Sequence, residues 1–524
     1  MSSGGKNRLL QAAGIVSGAT FCSRILGFIR DMVTARYLGT SYVADAFFVA
    51  FRIPNLLRRL FGEGSLTASF IPVFSSYLEK GDREEALRIA RTAMTLVSII
   101  LVLVTLAGIC GSPLIIKLIA PGFQDNPDKF ALTVFLNRIM FPYILLISLV
   151  ALSMGILNSF DHFLAPALAP VLLNLCMIGG IYFLSRPLGS PATALAVGVL
   201  LGGVTQLLFQ IPFLKKYGFS FRPGWYFRHP AIGRIVRLMG PSLLGLAITQ
   251  ITIFVNTLLA SFLRDGSISY LYFADRLVQF PLGVFAVALG TAILPTLSKQ
   301  AAGQRWEDFS HTFSLAVRAL LFITIPAMAG LIVLSRPIIY ILFQRGHFNA
   351  TSTIMVSQTL IAYAVGLWAF AGLRIIVPAF YSLEDAKTPV KVGALALLVN
   401  VVAAVGLMFP LQHVGLALAT TISSSVNCLL LLHLLRRKQL RLPAGEIFAS
   451  LGRTLAATLV MIAALLFLAR TPWLRPDYQH QLATAGRLLV LIAGGGLVYA
   501  LSARAVGSRE MSALAGLRRQ RGKS

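Results

Sequence analysis

The sequence predicts an all-α polytopic membrane protein of fourteen transmembrane helices. Three observations carry this. Of 524 residues, 56% are hydrophobic and only 12% charged, against about 25% charged in a typical soluble domain. Mean hydropathy is +0.78. Apolar runs of about 20 residues, enough to cross a hydrocarbon core, recur from end to end. A transmembrane barrel would instead show alternating segments of about ten residues.

The helices are expected near residues 9–38, 43–78, 87–118, 130–158, 163–185, 191–214, 232–262, 268–298, 308–334, 352–381, 388–409, 414–435, 449–469 and 484–504. The first follows a short basic start, Lys6 and Arg8. Its apolar run continues far past the core of a cleavable signal, without a small-residue cleavage site, so the helix is expected to remain in the mature chain. "LGTSY" links the first pair, and Pro54 should kink helix 2. "KKYGFSFRPGWYFRHPAIGRIVR" follows helix 6, "FPLQHVG" joins helices 11 and 12, and "RRKQLR" follows helix 12. The chain ends in "RRQRGKS". No connection exceeds about two dozen residues, so no soluble catalytic domain is expected.

An even helix number puts both termini on one side, and charge selects the side. With the N-terminus inside, roughly 27 Lys/Arg fall in cytoplasmic segments and roughly 8 outside. The net charge of +27 is therefore read as cytoplasmic loop bias, and no nucleic-acid partner is expected. Cys22, Cys110, Cys176 and Cys428 all lie in apolar runs without metal or CxxC spacing, so they read as packing residues. No metal site and no cofactor are expected, and the absence of a P-loop excludes a direct ATPase.

The chain is internally repeated. "FIPVFSSYLEKGDREEALR" from Phe70 resembles "ILPTLSKQAAGQRWEDFSH" from Ile293. "GILNSFDHFLAPALAPVLLN", ending at Asn174, resembles "IIVPAFYSLEDAKTPVKVGALALLVN", ending at Asn400. The offsets are nearly equal: Pro72 to Pro295, and Asn174 to Asn400. Two lobes of six helices follow, in the same orientation and related by a pseudo-twofold along the membrane normal. The expected division is an N-lobe over 1–214, a cytoplasmic inter-lobe loop over 215–231 and a C-lobe over 232–435. Helices 13 and 14 lie within 436–505, and a basic cytoplasmic tail occupies 506–524.

Charges inside the membrane are costly, about 2.5–3.5 kcal/mol for a central Arg on insertion scales. After loops and tails are assigned, helix boundaries being good to several residues, about eleven arginines nonetheless remain within the helices: Arg24, Arg30, Arg36, Arg52, Arg58, Arg59, Arg138, Arg276, Arg318, Arg374 and Arg487. Only four acids accompany them: Asp31, Asp45, Glu63 and Asp275. Arg36, Arg318 and Arg487 read as ion pairs or boundary residues that snorkel. The rest concentrate in helices 1, 2 and 8. Arg24 and Asp31 share a face of helix 1, with Arg30 about 120° away. Asp45, Arg52, Arg59 and Glu63 form a stripe on helix 2. The Pro54 kink makes the phase beyond it ambiguous, so Arg58 could equally face inward. With too few acids for the arginines, a cavity holding an anion, most simply a phosphate, accounts for the surplus.

These residues carry a resemblance. "SRILGFIRDMVTARYLGTSYVADAFFVAFRIPNLLRRLFGEGSLTASFIPVF" resembles the N-terminal signature of the MurJ (MviN) lipid II flippases. "YFADRLVQFPLGVFAVALGTAILPTLSK", "PALAPVLLN" and "FYSLEDAKTPVK" are similar to that family too, spanning helices 1 to 12 in order. The resemblance implies the multidrug/oligosaccharidyl-lipid/polysaccharide exporter fold. It implies a transporter, not an enzyme. Its cargo would be undecaprenyl pyrophosphate bearing the peptidoglycan precursor, carried from inner to outer leaflet of the bacterial cytoplasmic membrane for cell wall synthesis. It places cavity arginines at Arg24, Arg30, Arg58 and Arg276, and functional acids at Asp31, Asp45 and Glu63. It thereby selects Arg58 over Arg59. It assigns helices 13 and 14 to the lipid tail, where "LIAGGGLVYAL" offers either a smooth groove or close helix packing. Some members are proposed to bind sodium; Asn256 and Asp385 are the candidates here. Arg374 has no role in this picture. Expected partners are lipid II, membrane lipids and the wall-synthesis machinery.

The expected mechanism is alternating access, with the lobes rocking about the pseudo-twofold. Pro54, Gly62, Gly64, Gly283 and Gly290 are the expected bending points. Asp31, Asp45 and Glu63 would pair with arginines when the cavity is empty. The nearest rival is a flippase for another polyprenyl-pyrophosphate oligosaccharide; a cation exporter would prefer acids. A membrane-embedded polyprenyl-phosphate enzyme would need convergent acids or a His base. The acid pairs Glu84/Glu85, Glu307/Asp308 and Glu384/Asp385 instead sit in short loops and read as solvated surface. A scaffold would not need the arginines.

Overall fold

The computed structural model describes residues 3–57, 66–438, 443–474, 476–478, 480–508 and 510–511, and the side chains of all of these except 3–13, 15, 67–68 and 240–249. Every regular element among them is helical. The chain divides into two compact units, residues 1–269 with 345–348, and residues 270–344 with 349–524.

The first unit opens with α1 (Ser3–Leu38) and α2 (Tyr42–Leu57). After α3 (Leu66–Glu79), Asp82 caps α4 (Arg83–Cys110) by accepting the Glu85 N–H, as a short carboxylate does at the orphan amides of a helix start. The expected helix over 87–118 is broken at Gly111, where α5 (Ser112–Ile119) begins with Pro113 in its first turn. A 3₁₀ turn (Pro121–Asp125) leads to α6 (Pro127–Met140), capped by Asn126. The expected helix over 130–158 is interrupted in turn by Pro142, which starts α7 (Tyr143–Ser159). α8 (Leu164–Leu184), α9 (Pro191–Lys216) and α10 (Pro230–Ser261) complete the unit. Its core is aromatic and aliphatic, with Phe70, Phe74, Ile156 and Leu214 fully buried. α8 lies close to α9: a Cβ on Gly180 would meet the Gly198 Cα at 2.9 Å. In lipid, backbone proximity of this kind replaces a hydrophobic driving force.

In the second unit, α11 (Ser267–Pro281) runs through a π turn (Leu282–Ala286) into α12 (Val287–Ala302). Pro281, which cannot donate, and Gly283 sit at this irregularity. α13 (Trp306–Val333) is followed by α14 (Ser335–Phe343), within a stretch expected to be loop. α15 (Ala350–Ala364) and α16 (Leu367–Ser382) meet at 42°. α17 (Lys387–Arg436) counts 50 residues, about 75 Å at 1.5 Å per residue, too long for one crossing. Gln412 breaks it with a left-handed φ of 52°, between the two helices expected there. α18 (Ala444–Arg470) packs on α13, and α19 (Gln481–Ala505) on α18. Phe322, Ala457, Leu465 and Leu491 form the core of this packing.

Nine described helices are long and apolar enough to cross a membrane, ten when α15 and α16 count as one bent span. α17 accounts for two crossings. This is a multi-pass helical membrane protein, consistent with fourteen crossings.

Candidate functional site

α1 carries the first embedded charges, and its packing on α8 positions them. Asn174 of α8 lies beside Gly27, 3.6 Å from where a Cβ would stand, an ordinary contact distance. The Asn174 amide donates to the Ser23 carbonyl at 3.2 Å. Its oxygen accepts from Arg30 Nη1 at 3.1 Å. On the other side of the guanidinium, Asp31 Oδ1 accepts from Nη2 at 2.7 Å and from Nε at 3.1 Å. Asp31 is buried and the Arg30 side chain is 11% exposed. Arg30 is thus held in one orientation by a carboxylate and an amide. Arg24, by contrast, is exposed and has no acidic partner among the described residues. Asp31, expected to share a face with Arg24, is bound to its sequence neighbour because the long arginine side chain wraps around the helix.

Asp45 is 1% exposed, and its first charged partner is a lysine. Lys129 Nζ lies 3.2 Å from Asp45 and 2.7 Å from Asp265. Asp45 also accepts from the Gly266 amide at 2.8 Å, the Ser269 amide at 2.9 Å and the Ser269 hydroxyl at 2.7 Å. It caps the start of α11, where unpaired amides favour a carboxylate. Lys129 further lies 4.0 Å from the centre of the Phe123 ring. This lysine was not among the expected membrane charges, since it falls at the edge of helix 4. The signal was present in "NPDK": an Asn cap with Pro at the first helical position puts Lys129 inside the first turn.

Two glycines close the same region. Gly39 ends α1 with φ +60°, and a Cβ there would lie 2.4 Å from the His347 carbonyl. Gly346, φ +58°, stands equally close to the Arg36 carbonyl, which accepts the His347 amide at 2.9 Å. Arg52, further along α2, donates to the Thr257 hydroxyl and the Ile253 carbonyl of α10.

In the second unit, Arg276 donates to the Tyr272 hydroxyl at 3.0 Å, its guanidinium 5.0 Å from that ring. Arg374 is exposed, and its carbonyl stands 2.3 Å from where a Gly290 Cβ would be. Gly290 thus serves close approach of α12 to α16. Arg318 is buried and reaches Glu446 at 3.0 Å and Glu510 at 3.9 Å, an interhelical ion pair. Of the glycine run in α19, a Cβ on Gly495 would meet Leu465 of α18 at 2.9 Å, while Gly496 faces open space.

Asp385, a candidate sodium ligand, accepts from the Thr388 amide and hydroxyl and from Lys438. It is a helix cap in an ion pair. Burial works against its charge, yet these hydrogen bonds and the Lys438 ammonium hold its carboxyl at about 2. Glu84, Glu85, Glu307 and Asp308 stand in the first turns of α4 and α13, where a helix dipole favours acids. No group of three His, Cys, Asp or Glu able to hold a metal occurs among the described residues. Arg58, Arg59 and Glu63, with Gly62 and Gly64, lie outside the described residues.

Chemically, the first unit offers an oriented guanidinium, Arg30, and an exposed one, Arg24, on one helix. That arrangement suits phosphate oxygens.

Known proteins can now be set beside this geometry. A family model described as "Lipid II flippase MurJ" matches residues 34–478. A probable lipid II flippase MurJ of Vibrio cholerae is 41% identical over 81% of this chain and 82% of its own length. That of Haemophilus influenzae is 36% identical over 94% and 98%, and the lipid II flippase MurJ of Burkholderia cenocepacia 34% identical over 86% and 89%. A solved lipid II flippase MurJ, in an inward closed conformation, superposes with a TM-score of 0.77 at 30% identity, covering 93% of this chain and 97% of its own. An inward-facing multidrug transporter of the MATE family shares the fold, with a TM-score of 0.64 at 17% identity over 82% of this chain and 95% of its own.

Proposed function

We propose that this chain, which belongs to the MurJ family, is a flippase that carries lipid II from the inner to the outer leaflet of the bacterial cytoplasmic membrane, supplying cell wall synthesis. The observation that carries the reading is the pair on α1: Arg24, exposed and without an acidic partner among the described residues, and Arg30 held ready by Asp31 and Asn174. An embedded arginine is costly unless something negative arrives to meet it. The cargo's pyrophosphate would be that anion.

Arg24, Arg30, Arg58 and Arg276 are assigned to the pyrophosphate. Asp31 holds Arg30 in the empty state and gives up part of it to the ligand. Asp45 with Lys129 and Asp265, and Gly39 with His347, fasten the first unit internally. Glu63 joins the acids of the cavity. The polyprenyl tail lies along α18 and α19, where Gly496 leaves a smooth surface. Both termini are assigned to the cytoplasm by the basic segments, and wall-synthesis enzymes are the expected users of the exported cargo.

The test is complementation in a host depleted of its own flippase. Arg24→Ala, Arg30→Ala and Arg276→Ala should each fail while reaching the membrane at normal levels. Growth supported by all three would overturn the reading.

A further inference from the structure

The segment joining α9 to α10 has no part in cargo movement as read above, yet it is built in detail. From Lys215 to Arg237 the chain carries six lysines and arginines and no acid. Arg222 and Arg228 are exposed, and so are the aromatic residues beside them: Trp225 is 67% exposed and Tyr226 51%.

The segment is pinned at a definite depth. Phe219 is buried in the first unit's core. The Gly224 amide donates to the Thr95 hydroxyl at 3.0 Å. A Cβ on Gly224 would stand 2.6 Å from the Thr92 amide nitrogen, so only glycine allows this contact. The Arg88 guanidinium lies 4.4 Å from the Tyr226 ring centre, and His229 Nε2 is 3.1 Å from Glu85. α4 itself marks the depth. Its stretch from Arg83 to Arg91 carries all of its charges, and none follows from Thr92 to Cys110. Thr92 and Thr95 therefore stand where water gives way to hydrocarbon, and the loop is fastened there. Trp and Tyr favour that level, with one end apolar and the other wet. Trp225 to Pro230 line an open depression of about 560 Å³.

We propose that residues 217–229 form a binding surface for anionic phospholipid headgroups of the surrounding bilayer. Arg222 and Arg228 meet the headgroup phosphate. Trp225 and Tyr226 lie against the glycerol and upper acyl carbons. Its basic residues, with Glu85 occupied by His229 and Arg88, select an anionic headgroup over a zwitterionic one. The inference rests on this segment alone and stands whatever the cargo.

The experiment uses the full chain in lipid nanodiscs, with Trp306, Trp368 and Trp473 changed to Phe so that Trp225 alone reports. Brominated phosphatidylglycerol is compared with brominated phosphatidylcholine at equal mole fraction. The anionic quencher should act about two- to fivefold more strongly, and the Arg222→Gln/Arg228→Gln variant should bring the ratio to unity. Equal quenching by both lipids would overturn the selectivity. No quenching by either would mean something other than lipid covers the loop. Selectivity surviving in the double variant would remove the arginines from the site.

Discussion

Asp45 shows how one side chain can hold several elements. Its carboxylate is buried against Lys129 and accepts three hydrogen bonds from Gly266 and Ser269. Removing one member of a buried pair leaves a charge without compensation, at about 3–5 kcal/mol. Lys129→Met should therefore lower the melting temperature of the detergent-solubilised protein steeply. Adding Asp45→Asn should recover part of the loss, because the orphaned charge disappears. An additive double variant would show that the two groups do not interact. Asp385 supplies a pH prediction. Its carboxyl is held at about 2, from an ordinary 3.8. A depressed acid stabilises the fold above its unfolded value and loses that contribution as pH falls through the folded one. The stability difference between the native chain and Asp385→Asn should be constant above pH 4 and shrink between about 4 and 2. A difference unchanged across that window would dismiss the Lys438 pairing. The membrane arginines could be counted in the sequence. Asn174 as a partner of Arg30 and Lys129 as the partner of Asp45 could not, because both are ordinary polar residues until α8 and α6 pack against α1 and α2.

At the scale of elements, glycine decides where helices and corners may touch. Gly39 combines a left-handed φ with a backbone so close that a Cβ would stand 2.4 Å from the His347 carbonyl. Gly39→Ala adds both strain and overlap, and should cost about 1–3 kcal/mol; a melting curve like that of the native chain would contradict the close contact. Gly495 seats α19 on Leu465, whereas Gly496 faces open space. Gly495→Leu should therefore destabilise the protein by about 1–3 kcal/mol through overpacking. Gly496→Leu should leave the melting curve unchanged and still impair cargo movement, since it roughens the surface assigned to the lipid tail. Hydropathy placed the apolar spans well. It missed the breaks at Gly111 and Pro142, because backbone irregularity inside an apolar run leaves the run's composition unchanged; the π turn over 282–286 falls on Gly283, an expected bending point. It missed α14 for the converse reason: nine residues are too short to register as a span.

For the molecule as a whole, the fold class follows from composition, since a chain so poor in charge and rich in apolar runs can satisfy its backbone in lipid only as helices. The family follows from motifs kept in order along the chain, and the match over residues 34–478 bears it out. One measurement asks whether the cargo is lipid II. Replace the host's flippase with this chain, deplete it, and quantify lipid II in the outer leaflet with an externally added toxin that cleaves it. Cleavable lipid II should be lost on depletion, accumulate inside, and return with the native chain but not with Arg30→Ala. Outer-leaflet lipid II that stays constant throughout depletion would contradict this reading of the cargo.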